Sequence, residues 1–453
     1  MSQVDFSDAD RARLAEHDIA EEEARRQLEL LRNPPPRIAL DRPCVIGDGV
    51  LALSRDQQAE AFERGRAVVS AGRVTKFVPA SGAATRMFQA LIAANGRADR
   101  PSSVPAARQF FDALDAFPFS RQLRERAGVY GVPATEADER RLLTTLLEAM
   151  AYADMPKGLI PFHQGDPPHT AFEDHLHEGV EYTRGESRVS RMHFTVLQET
   201  RGKFEQLLSS LRASVETRLD CSLDIGFSEQ HPSTDTIAID DHGEPFRVAS
   251  GDLLIRPAGH GALIENLEAL GGDVVVIKNI DNILPPEATA DVVRWKLVLI
   301  GVLAELEARD PGKRERPLRV CGVVRNEGEP GGAPFWVRDR SGATAQIVEA
   351  AQVDMEDEAQ RNIFASSTHF NPVDLVCSVR DAGGTPFSLS RFVDPGAAFV
   401  SEKSYEGRPL TALERPGLWN GAMAHWNTVF VEVPGSTFAP VKTVFDLLRP
   451  EHR

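Results

Sequence analysis

Three stretches of the chain carry residues suited to phosphate chemistry. In Lys76-Phe77-Val78-Pro79-Ala80-Ser81-Gly82-Ala83-Ala84-Thr85-Arg86-Met87 an apolar strand runs into a turn of small residues, then into a helix expected to begin near Thr85. That order lets polyphosphate oxygens approach backbone N–H groups at a helix N-terminus, and Arg86, one residue inside the helix, adds a positive fork. The same order occurs in α/β proteins that bind no nucleotide, and the segment has neither G-x-G-x-x-G nor a Walker lysine. In Met155-Pro156-Lys157-Gly158 a lysine held between proline and glycine presents its ammonium at a defined place, as a phosphate oxygen needs. A surface lysine in a turn fits those residues too. The run Asp273-Val274-Val275-Val276-Ile277-Lys278-Asn279-Ile280-Asp281-Asn282 reads as a strand buried on both faces that ends in polar residues. Ligands of open α/β sheets gather at that edge, and Asp281 offers the hard oxygen that Mg2+ prefers.

Other clusters read more plainly. His163, His169, His175 and His177 crowd one region, but their spacing matches no familiar metal signature, and a helix surface accounts for the last two. Asp240-Asp241 resembles a metal-binding acid pair, yet Asp240-Asp241-His242-Gly243 between two alternating stretches is hairpin-turn chemistry, and the turn is the expected reading. Cys44, Cys221, Cys321 and Cys377 lie far apart with no C-x-x-C pair, which predicts reduced thiols.

The elements that must position these residues follow from capping and periodicity. Asp18 with Glu21 predicts a capping box for a helix ending at Asn33-Pro34-Pro35-Pro36, and Ser54 with Gln57 caps another ending near Gly72. Residues 97–152 keep a helical period, with Phe110, Phe111, Leu114, Leu142, Leu143, Leu146 and Met150 recurring at three and four. Of the 453 residues 42% are hydrophobic and 26% charged, an ordinary globular composition. The net charge of -16 argues against a protein that coats nucleic acid or an anionic membrane, so any bound anion meets local positive charge. The polar start and the short apolar runs predict a cytoplasmic protein with no membrane partner.

Pro257-Ala-Gly-His-Gly261, followed by Asn279-Ile-Asp-Asn282, resembles the P-x-G-H-G and N-x-D-N motifs of the UDP-sugar pyrophosphorylases. Phe438-Ala-Pro-Val-Lys-Thr-Val-Phe-Asp-Leu-Leu448 resembles that family's F-x-P-V-K-T-x-x-D-L-L segment. From about Lys76 onward the chain also looks like the bacterial family called domain of unknown function 4301, a divergent relative of those enzymes. The resemblance implies an α/β, GT-A-like nucleotidyltransferase fold with a mixed central sheet, an N-terminal helical region and a helical insertion. Its expected divisions are 1–70, helical; 71–410, the core with an insertion at about 97–152; and 411–453, a C-terminal segment supplying Lys442. It further implies that Ala80, Ser81, Gly82, Ala83 and Thr85 form the nucleotide loop, with Arg86 on the phosphates. Lys157 would match the lysine of a P-K-G motif. Gln230 and Gly259 would face the base, His260 would lie beside the nucleotide, Asp281 would hold Mg2+, Lys442 would meet a phosphate, and Asn371 would contact sugar.

One departure stands out. Where the family has G-G-x-G-T, this chain has Ala80-Ser81-Gly82-Ala83-Ala84-Thr85, with methyl groups where glycines allow positive φ. The expected function is Mg2+-dependent transfer of a nucleotidyl group, UTP being the expected donor, to a sugar 1-phosphate with release of pyrophosphate. Such a reaction brings two polyanions together and needs cations more than a general base, since the attacking phosphate is already ionised. A nucleotide-sugar-dependent glycosyltransferase and a non-catalytic nucleotide-binding protein are the alternatives.

Overall fold

The structure, a computed structural model, describes residues 5–309, 314–328, 331–339 and 342–453. The chain divides into two compact units, each assembled from separate stretches. The first takes Met1–Ala61, Ser228–Val276 and Leu299–Val433; the second takes Phe62–Phe227, Ile277–Val298 and Pro434–Arg453.

In the first unit a mixed sheet runs in the order Val45–Ile46, Gly49–Leu51, Asn427–Glu432, Leu318–Arg325, His369–Ser378. Asn427–Glu432 is parallel to both its neighbours, whereas His369–Ser378 is antiparallel to Leu318–Arg325. An antiparallel sheet of Ile255–Arg256, Thr236–Ile239, Arg408–Glu414 and Phe399–Tyr405 covers the helix Glu21–Arg32 through Leu28, Leu31, Ile237 and Leu413. The stretch 1–70 is not helical throughout. Leu40–Pro43 pairs with Ala333–Asp339, a contact between distant segments that local periodicity cannot reveal. The expected capping box is also displaced: Asp18 takes φ 55°, Ala20 is the N-cap of Glu21–Arg32 without a side-chain bond, and the box that forms is Ser7 with Asp10, one helix earlier. The Ser54–Gln57 box forms as expected.

In the second unit the strand Val74–Pro79 runs parallel to Val189–Val196. Residues 97–152 fold into the helices Pro105–Asp112, Ser120–Ala127 and Glu136–Thr144, followed by a π turn, Thr145–Ala149. Their apolar faces share one core with Val78, Phe88, Phe172 and Phe194. The helix Ala171–Thr183 is buried at eleven of its thirteen positions, including His175 and His177, because it packs on both Val74–Pro79 and Val189–Val196. Those histidines are core residues, not the helix surface expected.

An ionic cluster sits inside this core. Glu178 accepts from Lys76 Nζ at 3.2 Å, Lys278 Nζ at 2.5 Å and the Tyr182 hydroxyl at 2.7 Å, and all four side chains are fully enclosed. Burial opposes the Glu178 carboxylate, but Lys278 and Lys76 outweigh it and hold its pKa well below the usual range. Burial pushes Lys76 down to about 8. Charges enclosed in this way cost several kcal/mol each unless they are paired and hydrogen-bonded, as Glu178, Lys76 and Lys278 are here. Among the described residues no helix is long and apolar enough to cross a membrane.

Candidate active site

Asp281, just past the end of the strand Val274–Lys278, is the centre of the arrangement. Lys157 Nζ donates to its Oδ2 at 2.8 Å, and Lys442 Nζ reaches Oδ2 at 3.0 Å and Oδ1 at 3.2 Å. Lys157 also donates to the Val441 carbonyl at 2.8 Å. Burial works against charge on Asp281, yet Lys442 and Lys157 prevail and hold its carboxyl below the ordinary carboxylate range. Lys157 and Asp281 are almost enclosed, whereas the Lys442 side chain is 52% exposed. The three groups carry one net positive charge, with its accessible part on Lys442.

The small-residue turn is tied to this place by backbone. The helix begins at Thr85, as its sequence predicts, and Thr85 Oγ1 donates to the Ala153 carbonyl. Lys157 N–H donates to the Gly82 carbonyl at 3.1 Å, and Ala84 N–H donates to Met155 at 2.9 Å. Ala84 thus spends its donor on the chain, which takes one backbone N–H of the turn out of those expected to meet phosphate oxygens. Ala80 is buried and its N–H is bonded to Thr195, whereas Gly82, Ala83 and Arg86 are exposed. Arg86 makes no ion pair with Asp281, whose partners are the two lysines.

Gln230, Gly259, His260 and Asn371 belong to the first unit. Gly259 takes φ +80°, and a Cβ there would lie 2.8 Å from Glu414 Oε2; a Cβ on Gly261 would lie 2.2 Å from the Pro416 carbonyl oxygen. Both glycines of the motif are thus required by the backbone. They set the His260 ring parallel to Trp419, centroids 4.1 Å apart, with Nδ1 accepting from Leu418 N–H. Burial lowers the His260 pKa to about 4. Gln230 donates to Asp235 at 3.2 Å. Asn371 is enclosed in the strand His369–Ser378, where its Oδ1 accepts from Val373 N–H and its amide nitrogen finds no acceptor among the described residues. Asp240 Oδ1 accepts from the N–H groups of His242 and Glu244, so Asp240-Asp241 is a turn.

The sequence reading overlooked several supporting groups. Asn282 Oδ1 accepts from Ala439 N–H and Asp281 C=O from Val441 N–H, which holds the segment bearing Lys442 in place. Asp446 Oδ2 accepts from the N–H groups of both Lys442 and Thr443. His175 Nε2 faces the Ile280 carbonyl at 3.2 Å, one residue before Asp281. Asn282 and Asp446 stand within the quoted motifs, so their positions were visible although their tasks were not. Charged Lys76 and Lys278 in otherwise apolar strands were the signal for the ionic cluster.

One carboxylate is also what the chain offers a divalent ion. Among the described residues no three His, Cys, Asp or Glu side chains gather as a metal cage. Asp281 Oδ1, with a single contact at 3.2 Å to Lys442, is the oxygen less committed to the two lysines.

These features define a mixed α/β chain. Solved structures similar to it are the uridine diphosphate N-acetylglucosamine pyrophosphorylase of Trypanosoma brucei (TM-score 0.55, 14% identity, covering 98% of this chain and 79% of that one) and a UDP-glucose phosphorylase of the same organism (0.53, 14%, 97% and 77%). A variant of UDP-glucose pyrophosphorylase from Leishmania major is similar as well (0.51, 17%, 98% and 79%). At such identities the likeness speaks for the fold. No curated protein matches the chain. The family model described as Domain of unknown function (DUF4301) matches residues 7–310 and 311–453, and the chain belongs to that family.

Proposed function

We propose that the protein is a sugar-phosphate nucleotidyltransferase. An oxygen of a sugar 1-phosphate attacks the α-phosphorus of a nucleoside triphosphate, with UTP the expected donor; one P–O bond forms, the bond to the β-phosphate breaks, and pyrophosphate leaves. The observation that carries this reading is the convergence of Lys157 and Lys442 on one carboxylate beside the turn 80–85. An ammonium that exchanges its bond to Asp281 for one to a phosphate oxygen neutralises developing charge without any proton transfer. Lys442, the more exposed, suits the incoming phosphate; Lys157, fixed by Asp281 and Val441, suits the position nearer the turn. Arg86, at the open end of the helix Thr85–Asn95, suits the outer phosphates. Asp281 would hold Mg2+, which when bound screens the charge of the triphosphate.

Gln230, Gly259 and His260 are assigned to the nucleotide and Asn371, with its unpartnered amide, to the sugar; these assignments rest on the motifs. A second reading, nucleotide binding without turnover, is favoured by the single observation that Ala84 N–H is committed to Met155. Pyrophosphate release, measured with Mg2+ across a panel of nucleoside triphosphates and sugar 1-phosphates, decides between them. Release with one pairing supports the transferase. Tight triphosphate binding with no release from any pairing supports the second reading.

A further inference from the structure

Away from Asp281, the second unit holds a chain of side chains for which the proposed chemistry has no use. Asp174, completely enclosed, receives two imidazoles: His163 Nδ1 lies 2.6 Å from its Oδ2, and His169 Nδ1 lies 3.2 Å from its Oδ1. The other nitrogen of His163, Nε2, lies 2.9 Å from His452 Nδ1, so one ring of the pair donates to the other. The His163 and His452 rings are nearly parallel, 13° apart, and each is 1% exposed. His163 ends the strand Pro161–His163, and Asp174 sits in the first turn of the helix Ala171–Thr183. Both therefore lie in regular elements, whereas His452 lies on the short turn Pro450–His452.

The segment that ends in this turn also bears Lys442. Its near end is fixed by Asn282 to Ala439 and by Asp281 to Val441, and its middle packs Val441, Val444 and Leu447 into the core. Asp446 then holds the N–H groups of Lys442 and Thr443, and Arg449 Nη2 pairs with its other oxygen at 2.7 Å. The far end meets the core through the buried pair of His452 and His163.

We propose that Asp174 and His163 form a docking post for His452, and that the three are positioning residues which fix the backbone of residues 441–446 and hence the Lys442 ammonium over Asp281. A buried polar ring is a costly way to fill space, and a phenylalanine would fill it without needing a partner. The hydrogen bond is what the imidazole adds. The consequence for catalysis rests on the nucleotidyltransferase reading; the docking itself does not.

Amide hydrogen exchange of residues 441–446, read against the wild type, tests the docking independently of any activity. His452→Phe keeps the ring and removes the bond; His452→Asn removes the ring and keeps an amide, donor and acceptor both, near the place of Nδ1. The proposal expects His452→Phe to lower protection of the Val441, Lys442 and Thr443 amides by about tenfold, and His452→Asn to restore most of it. Asp174→Asn, which keeps the volume and removes the charge that orients His163, is expected to lower protection in the same amides. Protection equal to wild type in His452→Phe or in Asp174→Asn, or a His452→Asn no better than His452→Phe, overturns it.

Discussion

Lys157 and Lys442 donate to the same oxygen, Oδ2 of Asp281, at 2.8 and 3.0 Å. Two like charges are thus held together by one acid, and either can leave it for another anion without stranding the carboxylate. Replacing one lysine leaves Asp281 paired with the other and, on the proposed function, removes a phosphate partner. Lys442→Ala, at the half-exposed member, is expected to cost on the order of 100-fold in turnover and under about 1 kcal/mol in stability. Parallel pyrophosphate-release kinetics and urea unfolding check the two figures; a large stability loss with unchanged turnover would contradict the assignment.

Asp281→Asn should act in the opposite sense. The amide keeps the shape but leaves the nearly buried Lys157 ammonium facing Lys442 without a counter-charge, a loss of about 3 kcal/mol. Lys157→Met in the same chain relieves that repulsion, so the double variant should be more stable than Asp281→Asn alone. Denaturant unfolding of the single and double variants measures the coupling; additive effects would contradict the pairing.

Glu178→Gln removes the one acid between Lys76 and Lys278 and is expected to destabilise the fold by about 3–5 kcal/mol. Glu178→Gln with Lys76→Met should recover part of that loss, which the midpoint of urea unfolding reports.

Stability should fall on mild acidification. Burial holds His260 and His452 at about 4 when folded, against an ordinary value near 6.5. As pH drops from 6.5 towards 4 the unfolded chain binds protons that the folded imidazoles refuse, so stability declines, by on the order of 2 kcal/mol per histidine. Above 6.5 the contribution is flat. Asp281, whose pKa is lowered, contributes above about 3.8 and loses its part only below that, so it does not shape this window. Unfolding measured at pH 7.5 and 5 in the wild type and in His260→Gln isolates one share; an identical pH slope in the two proteins would contradict it.

Gly261→Ala is expected to disrupt its motif through the backbone, since the new methyl would meet the Pro416 carbonyl oxygen at 2.2 Å. A loss of about 2 kcal/mol or more, read from thermal unfolding, is the expected result, and Gly243→Ala, with open space around it, supplies a contrast dominated by its positive φ.

What was legible in the sequence was largely local. Ser54 with Gln57 marked a helix start, the apolar run 274–277 marked a buried strand, and residues 97–152 kept a helical period that the structure realises. Local signals failed where distant segments compete for the same residues. Strand Leu40–Pro43 exists because Ala333–Asp339 pairs with it, and His175 and His177 are buried because strands lie on a face that looked polar. At the candidate site, Asp281 and Lys157 stood out by residue type and flanking turns. Lys442 needed the motif, because a lysine near the end of a chain announces nothing by itself. The Ala84-to-Met155 bond was invisible, since it joins two loops of no regular period.

The most direct measurement is the rate of pyrophosphate release by the wild type and by Lys157→Ala under identical Mg2+, triphosphate and sugar 1-phosphate. The account predicts measurable wild-type turnover and a variant that remains folded, by circular dichroism, but slower by on the order of 100-fold or more. A folded Lys157→Ala protein that releases pyrophosphate at the wild-type rate would contradict it.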